Sequence, residues 1–587
     1  MLEPSKVTGP VVAGAKTISA KGLNMGSKPS VSRRQFIQMG ATGAAVVATS
    51  VPAGAFGSQS VSATDEPSWL GAEPNVDEAS VAETVDCEVL VVGAGNAGTF
   101  AACHAAEAGA QTLLIEANES GNGPRSSGIG AVGSRYQAAV GAEIDKEDIV
   151  NDIVSYALNQ CDIELVRAWA DHSGEAIDWY GSVMEPAGFA VCQEWGMPSE
   201  PTRYPCWPTG HGTAPAYDTT VRVTDSVDLL PVMIARLEEF GGIYRNNTRM
   251  VKCIKEGGRV AGVYAEDAQG RTVRINASKG VIIATGGYVN NEEMFSQRCA
   301  QEMRTSVVGR NHGTAHGDGI KACLWAGGII RDIPTTVTFD RAIVKPGTKM
   351  GTMFGDPDYV YFVYSTQPFL KVDNHGRRIT NESSPYDFIV HAAARQADPA
   401  WHVIWDSTWR EDVTRFATIG CSTLFLRPGS SHRPMGLDAC EAKMESYVED
   451  GYIIKADTLE ELAEGLMIDV DTFLTTVEQY NSFYAAGKDA QFGKDPFRLS
   501  SLDTPPLLWH EVRHQPLVHA RWCSHQHQLP GAGRPGRAYR RPLRCWQRCR
   551  RLFRRIVSQP GCWPGSRSWC HCRHALRQNR RLQVDGA

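Results

Sequence analysis

The residues best spaced to do chemistry are Gly93-Ala94-Gly95-Asn96-Ala97-Gly98, with a carboxylate, Glu116, placed 18 residues beyond the last glycine. Gly93 permits a tight turn, Gly95 lets a pyrophosphate approach the backbone, and Gly98 lets a helix pack closely on a strand. Asn96 and Ala97 fill the turn. A helix opening there aims unpaired N–H groups and the positive end of its dipole at the phosphates. Glu116 suits the hydroxyls of an unsubstituted ribose, which selects FAD or NAD over NADP. Glycine triplets also occur as plain structural turns, so the flanking elements decide.

Those elements are present. Cys87–Val92 is short, apolar and β-branched, the pattern of a buried parallel strand. An alanine-rich helix over Thr99–Ala108 ends at Gly109, and Gln111–Ile115 gives a second strand. The loop 121–130 follows Glu116, and its Ser126, Ser127 and Gly128 can wrap a cofactor with backbone donors or simply run over the surface. Helical patterns cover Lys146–Gln160 and Glu164–Met184. Met250–Lys255 and Val260–Tyr264 form a hairpin turned at residues 256–259. Lys279–Gly287 is a buried strand ending in Ala284-Thr285-Gly286-Gly287, and Gly317-Asp318-Gly319-Ile320 opens a helix.

The chain of 587 residues has room for two or three domains, and its charge is unevenly spread. From Val512 onward there are 17 Arg, no Lys and one acid, Asp585; the whole chain carries −6, which leaves −22 for residues 1–511. Six of the 16 Cys fall in the same tail, and the other ten are scattered without metal-ligand spacing, so no metal site is expected. Residues 1–56 read as a twin-arginine signal region. Ser32-Arg33-Arg34-Gln35-Phe36-Ile37 is followed by an apolar stretch too short to span a membrane, then by Ala53-Gly54-Ala55. An exported (periplasmic or extracytoplasmic) protein and a translocase partner follow from this. Residues 57–84, rich in Ser, Ala, Glu and Pro, read as a flexible linker.

This succession resembles the flavoprotein family that includes soluble fumarate reductases, urocanate reductase and 3-ketosteroid dehydrogenases. The resemblance is carried by the fingerprint, Ser126-Ser127-Gly128, Ala284–Gly287, Gly317-Asp318-Gly319, and Val372-Asp373-Asn374-His375-Gly376-Arg377-Arg378-Ile379-Thr380-Asn381-Glu382, in order over about residues 85–510. It implies an α/β fold: a Rossmann-like FAD-binding domain (85–335) with an inserted mixed α+β cap or substrate domain (336–510). It also implies FAD rather than NAD. The FAD-contacting positions it assigns are Gly93, Gly95, Asn96, Ala97, Gly98, Glu116, Ser126, Ser127, Gly128, Val251, Ala284, Thr285, Gly286 and Asp318.

Dicarboxylate reductases of this family carry a proton-donating arginine four residues after the Asn-Glu pair, where this chain has Tyr386. Arginine is a permanent cation suited to a carboxylate substrate, whereas a neutral phenol suits proton exchange beside a ketone. The run Asn381–Asp387 is similar to the segment of 3-ketosteroid dehydrogenases whose tyrosine handles that proton. Tyr386 is therefore the catalytic candidate, with Tyr136 second; a packing role is the alternative for both. The nearest match to the family's His-Pro-Thr segment is Ile333-Pro334-Thr335, without the His. His312, His316 and His375 read as loop residues. The expected partner is a small molecule with a conjugated carbonyl, reduced at its C=C bond, together with an unidentified electron-transfer partner. The oxidative, 3-ketosteroid-type direction and an inactive or binding-only remnant remain as alternatives.

The family returns to its FAD domain with a Gly-Leu-Tyr-Ala-Ala-Gly-Asn-type strand and a helix carrying Phe-Gly-Arg, and residues 513–587 contain neither. Back-translated and read one nucleotide later, Leu543–Pro560 permits Tyr-Ala-Ala-Gly-Asn-Asp followed by Val-Gly-Gly-Tyr-Phe-Gly-Gly. Trp has a single codon, and Trp546 and Trp563 both become the wanted Gly. Residues 511–587 thus read as a frameshifted remnant with no strand or helix period of its own. As written, the chain is expected to bind FAD poorly. The rival, a basic extension binding nucleic acid, lacks a basic helix face or interleaved aromatics, so no nucleic-acid partner is expected.

Overall fold

A computed structural model of the protein describes residues 67–518, except 122, 195–202, 205, 216–227, 301–303, 305–314, 331–335, 349–357, 398, 417–423 and 425–435, together with 523–525 and 556–558. All belong to one compact unit, Pro67–Ala587. The twin-arginine segment, Ile333-Pro334-Thr335, His312 and the re-read segment from Leu543 lie outside the described residues, except for Ile556–Ser558.

The fingerprint strand β1 (Val81–Val92) is the hub of the first sheet. Its apolar end, Leu90-Val91-Val92, is fully buried and is flanked in parallel by β2 (Thr112–Ile115) and β6 (Thr272–Ile283). β3 (Ile243–Arg245) extends the β2 edge in parallel. On the other side, the hairpin β4 (Arg249–Glu256) and β5 (Arg259–Glu266) pairs antiparallel onto the first half of β6. Helix α1 (Asn96–Glu107) packs its buried Phe100, Ala101, Ala102 and Cys103 against this sheet, as a βαβ crossover must.

The second sheet is built from β7 (Thr336–Val344), β8 (Val360–Tyr361), β9 (Leu370–Val372), β10 (Trp401–Trp405), β11 (Ile454–Ala456) and β12 (Leu507–Val518). Its order is β8-β7-β12-β10-β9, with β11 also on β12, and every pairing is antiparallel. Trp401, Trp405, Tyr364 and Phe369 pack fully buried in one of its cores, and Trp509 in another. The α/β fold with mixed sheets is as expected, and the first strand of the second sheet is Thr336–Val344.

Two expectations are corrected. Residues 57–84 are not linker throughout: Trp69 and Leu70 are buried against Tyr288, Met294 and Phe295, and β1 already pairs with β6 from Val81. The Pro/Glu-rich composition hid one apolar anchor and a strand start whose side chains are mostly exposed. Nor does strand structure stop at residue 510. β12 runs to Val518, Cys523–His525 pairs antiparallel with Gly328–Ile330, and β13 (Ile556–Ser558) lies parallel to Val281–Ile283 of β6. Ladder pairing is a backbone property, and two β-branched residues, Ile556 and Val557, are enough to seat a short strand. No helix among the described residues is long and apolar enough to cross a membrane.

Candidate functional site

The turn after β1 is shaped by what a side chain would hit. Gly93 has φ +100°, and a Cβ there would lie 2.6 Å from the Ala284 carbonyl oxygen; one at Gly98 would lie 1.7 Å from the Gly93 oxygen. Gly95 faces open space, with nothing within 4 Å of such an atom. Gly95 also caps α1 without any side-chain hydrogen bond, leaving the first-turn N–H groups for a ligand. Ala284 N–H closes the site by bonding Val92 O at 2.8 Å, and the run continues through Thr285 into Gly286 at φ +75°. In an otherwise buried region, Gly93, Gly95, Asn96, Ala97, Ala284 and Thr285 keep partial exposure, and Gly286 is exposed.

Glu116 is brought to this turn. Its Oε2 accepts from Ala94 N at 2.8 Å, and its Oε1 accepts from Asn118 N and Nδ2 at 3.1 and 2.8 Å. A carboxylate oxygen has two lone pairs, so Glu116 can bond the turn and still accept from ribose hydroxyls. Thr248 N donates to Glu116 O at 2.8 Å, which ties β4 to the same place. There Val251 and Asp318, the first residue of α4 (Asp318–Trp325), line a half-open cleft of about 310 Å³ with Arg249, Met250, Glu266, Lys321 and Trp325. The Asp318 carboxylate is paired with Arg249 at 2.8 Å.

The Gly/Ser loop crosses the turn: Gly123 bridges Gly95, and Asn96 Oδ1 accepts from Arg125 N at 2.6 Å. The loop is held from behind by a residue that the sequence did not single out. Glu194 is fully buried at the end of the strand Phe189–Gln193; it accepts from the Ser127 hydroxyl and from Gly128 N at 2.7 Å. Burial pushes its carboxyl up to about 7, opposed by the Ser127 and Gly128 hydrogen bonds. Ser126 is buried, and its carbonyl accepts from Thr213 N at 2.7 Å.

On the second sheet, Tyr386 opens helix α5 (Tyr386–Ala394) after Pro385. Its ring stacks on Phe339, centroids 5.1 Å apart, and the Arg341 guanidinium lies 5.7 Å from its ring centre. Beside it stands Tyr156, the last residue of α2 (Lys146–Tyr156), whose hydroxyl reaches Asp387 Oδ2 at 3.5 Å and whose ring stacks on Phe388 at 4.6 Å. Burial first, then Asp387 and Tyr386, push the Tyr156 phenol well up. Asp387 is fixed by Thr338 N at 3.0 Å and by the Thr338 hydroxyl. Behind Tyr386, Arg378 makes a buried bidentate pair with Glu382 (2.9 and 2.6 Å) and reaches Asp489 at 3.1 and 3.0 Å. The Asn381-Glu382 motif is therefore a structural anchor for the segment that presents Tyr386.

The second catalytic candidate, Tyr136, is held by its own hydrogen bonds. The Tyr136 hydroxyl donates to Glu185 and accepts from Arg135 at 2.7 Å, against α3 (Ile163–Met184), where a Cβ on Gly181 would touch it. Burial, with Glu185 beside it, pushes its phenol up. The adjacent Arg135 and the distant Glu185 together occupy the hydroxyl. His316 and His375 lie in loops, as expected. Among the described residues, no group of three or more His, Cys, Asp or Glu could hold a metal ion.

A family model described as an FAD binding domain matches residues 88–527. The chain is similar to the vinyl phenol reductase of Lactiplantibacillus plantarum, 24% identical over 442 residues, which are 72% of this chain and 82% of that one. It is similar to a fumarate reductase (cytochrome) of Shewanella frigidimarina, 25% identical over 447 residues and 72% of this chain, and spans 64% of that protein's length. Among solved structures it shares the fold of a 3-ketosteroid-Δ4-(5α)-dehydrogenase from Rhodococcus jostii, with a TM-score of 0.54 at 19% identity, covering 75% of this chain and 86% of that one.

Proposed function

Since the chain belongs to the FAD binding domain family, we propose that it is an exported FAD-dependent oxidoreductase that reduces a carbonyl-activated C=C bond, such as an enone or enoate. Bound FAD supplies the hydride chemistry. Gly95 and the start of α1 suit its pyrophosphate, Glu116 its ribose, and the cleft at Val251 and Asp318 the far end of its adenosine half.

The observation that carries the proposal is Tyr386, where dicarboxylate reductases have arginine. Its phenol, in an aromatic setting of Phe339, Tyr156 and Phe388, can give a proton to the carbon next to an activating carbonyl. The same phenol favours a second direction, in which it takes that proton from a saturated ketone. Twin-arginine export and a separate electron-transfer partner belong to the proposal. So does a reading-frame change at about residues 513–522, which leaves this exact chain weakly active or inactive.

The test is anaerobic turnover of enones and enoates with reduced viologen, set against oxidation of saturated ketones with a dye, in the protein from the frame-corrected gene and in its Tyr386→Phe variant. Reduction of a C=C bond that falls at least about a hundredfold in Tyr386→Phe at equal flavin content is expected. Undiminished turnover in Tyr386→Phe would remove the phenol from the chemistry. Turnover only with the dye would reverse the direction.

A further inference from the structure

Arg341 is a costly residue in its position. It is 5% exposed on β7, and a buried cation needs compensation. Its Nη1 donates to Tyr361 Oη at 2.7 Å and its Nε to Thr366 Oγ1 at 3.2 Å, so two neutral hydroxyls fix the guanidinium plane. β7 carries an irregularity at this point. Phe339 pairs with Gln515 and Ala342 with Arg513, so three steps on β7 face two on β12. One extra residue in a strand re-aims the side chains around it, and such bulges recur beside active sites. Here the re-aimed guanidinium stands 5.0 Å from the centre of Phe339 and 5.7 Å from that of Tyr386, with Phe339 stacked on Tyr386. Both distances fall within the range of a cation–π contact, which strengthens as water is excluded.

We infer that Arg341 is a positioning residue that stabilises the phenolate of Tyr386 in each proton exchange with the substrate. This rests on Tyr386 being the proton carrier. The step is a bare proton transfer: the Tyr386 O–H bond breaks, a C–H bond forms beside the carbonyl, and the electron pair stays on the phenolate oxygen. Redox equivalents come from the flavin alone, and solvent returns the proton. In the opposite direction the phenolate exists first, and the same cation holds it ready.

The other groups facing Tyr386 make the arginine necessary. Asp387 on its own helix, with His391 3.8 Å from that carboxylate, and Tyr156 from α2 surround it. Behind Arg341 lies Asp340, fully buried, bonded to Thr366 Oγ1 at 2.7 Å and close enough to Lys371 to feel its charge. Burial, then the neighbouring Asp387, keep Tyr156 protonated, and the charges of Lys371 and Arg341 both act on Asp340. Arg341 is the fixed cation that lies over the Tyr386 ring.

The experiment is 19F NMR of the full chain labelled with 3-fluorotyrosine, titrated through the alkaline range. The resonance missing in Tyr386→Phe reports Tyr386. Arg341→Gln is expected to raise its midpoint by about one pH unit, a tenfold loss of acidity. Arg341→Lys, which keeps the charge, is expected to hold the midpoint within about 0.3 unit. Should Arg341→Gln not fold, Arg341→Met keeps the stem against Phe339, and the same rise is expected. An unchanged midpoint in the neutral variant overturns the inference, as does a raised KM with neither midpoint nor kcat affected, which would make Arg341 a substrate anchor. The midpoint reports the Arg341–Tyr386 pair whether or not Tyr386→Phe retains turnover, so failure of the proposed function is read separately.

Discussion

The Gly93 carbonyl oxygen lies 1.7 Å from where a Cβ of Gly98 would stand, whereas a Cβ on Gly95 would meet nothing within 4 Å. The two glycines do different work, and alanine separates them. Gly98→Ala must push α1 off the backbone of β1 and is expected to destabilise the protein by roughly 3 kcal/mol or more. Gly95→Ala is expected to change stability by less than about 1 kcal/mol, yet to weaken FAD binding at least about tenfold, because the methyl occupies the pyrophosphate's approach. Thermal melts and flavin absorbance after gel filtration check both. Equal effects on stability would contradict the steric difference.

Glu194 links the flavin loop to pH. Burial raises its carboxyl from 4.5 to about 7, so between those values the folded protein holds a proton that the unfolded chain has lost. The stability it contributes is therefore full below about pH 4.5 and lost as pH rises through about 7. The swing is on the order of 3 kcal/mol. Glu194→Gln cannot titrate and is expected to flatten the dependence of Tm on pH over roughly pH 5 to 8. It also loses one acceptor for Ser127 or Gly128, so its FAD affinity should fall. A pH slope identical to that of the parent would show that Glu194 is not the titrating group.

The fold was legible where one residue type leaves no alternative. Gly93 and Gly98 are dictated by contact with backbone, and the hairpin turn at Gly257 and Gly258 by positive φ at both positions. β1 and β2 follow from the same local logic. What stayed hidden depends on contacts between distant segments. Tyr156 meets Asp387 across 231 positions, and Glu194 reaches Ser127 across 67. No local period signals such a meeting. The partners of Tyr136 were hidden in the same way, since the distant Glu185 joins its neighbour Arg135 at the hydroxyl. Ile556–Ser558 was missed because one short parallel pairing leaves almost no pattern in a sequence.

The Arg378–Glu382–Asp489 cluster, with side-chain exposures of 1%, 0% and 0%, is sealed from water. Removing one partner strands charge in the interior. Arg378→Met leaves two carboxylates facing each other and is expected to cost about 3–5 kcal/mol. Glu382→Gln keeps the shape and one acceptor and should cost less. Both variants are expected to slow turnover, because residues 383–385 connect the cluster to Tyr386, while flavin content stays close to that of the parent. Denaturant melts paired with flavin spectra check this. A stability loss below about 1 kcal/mol in Arg378→Met would place the cluster among exposed pairs, against its burial.

The last prediction concerns the C-terminal segment. β13 sits beside Val281–Ile283, at the point where β6 runs into Ala284-Thr285-Gly286. In the present frame Ile556-Val557-Ser558 is followed by Gln559-Pro560, and proline cannot donate to a ladder or offer an N–H to a ligand. In the shifted frame the Tyr-Ala-Ala-Gly-Asn run is read from about Leu543–Cys549, upstream of this position, and we propose that it takes the slot beside β6 in place of Ile556–Ser558, bringing a glycine turn and free N–H groups of the kind that the first turn of α1 provides for phosphate. A gene corrected by one nucleotide between the codons for residues 513 and 522 is therefore expected to yield a protein with one FAD per chain. The chain as written should hold clearly less under the same conditions. Flavin-to-protein ratios from absorbance, with resequencing of the same region, decide it. A full complement of FAD on the unaltered chain would show that β13 and its successors do the job, and the frame proposal would fall.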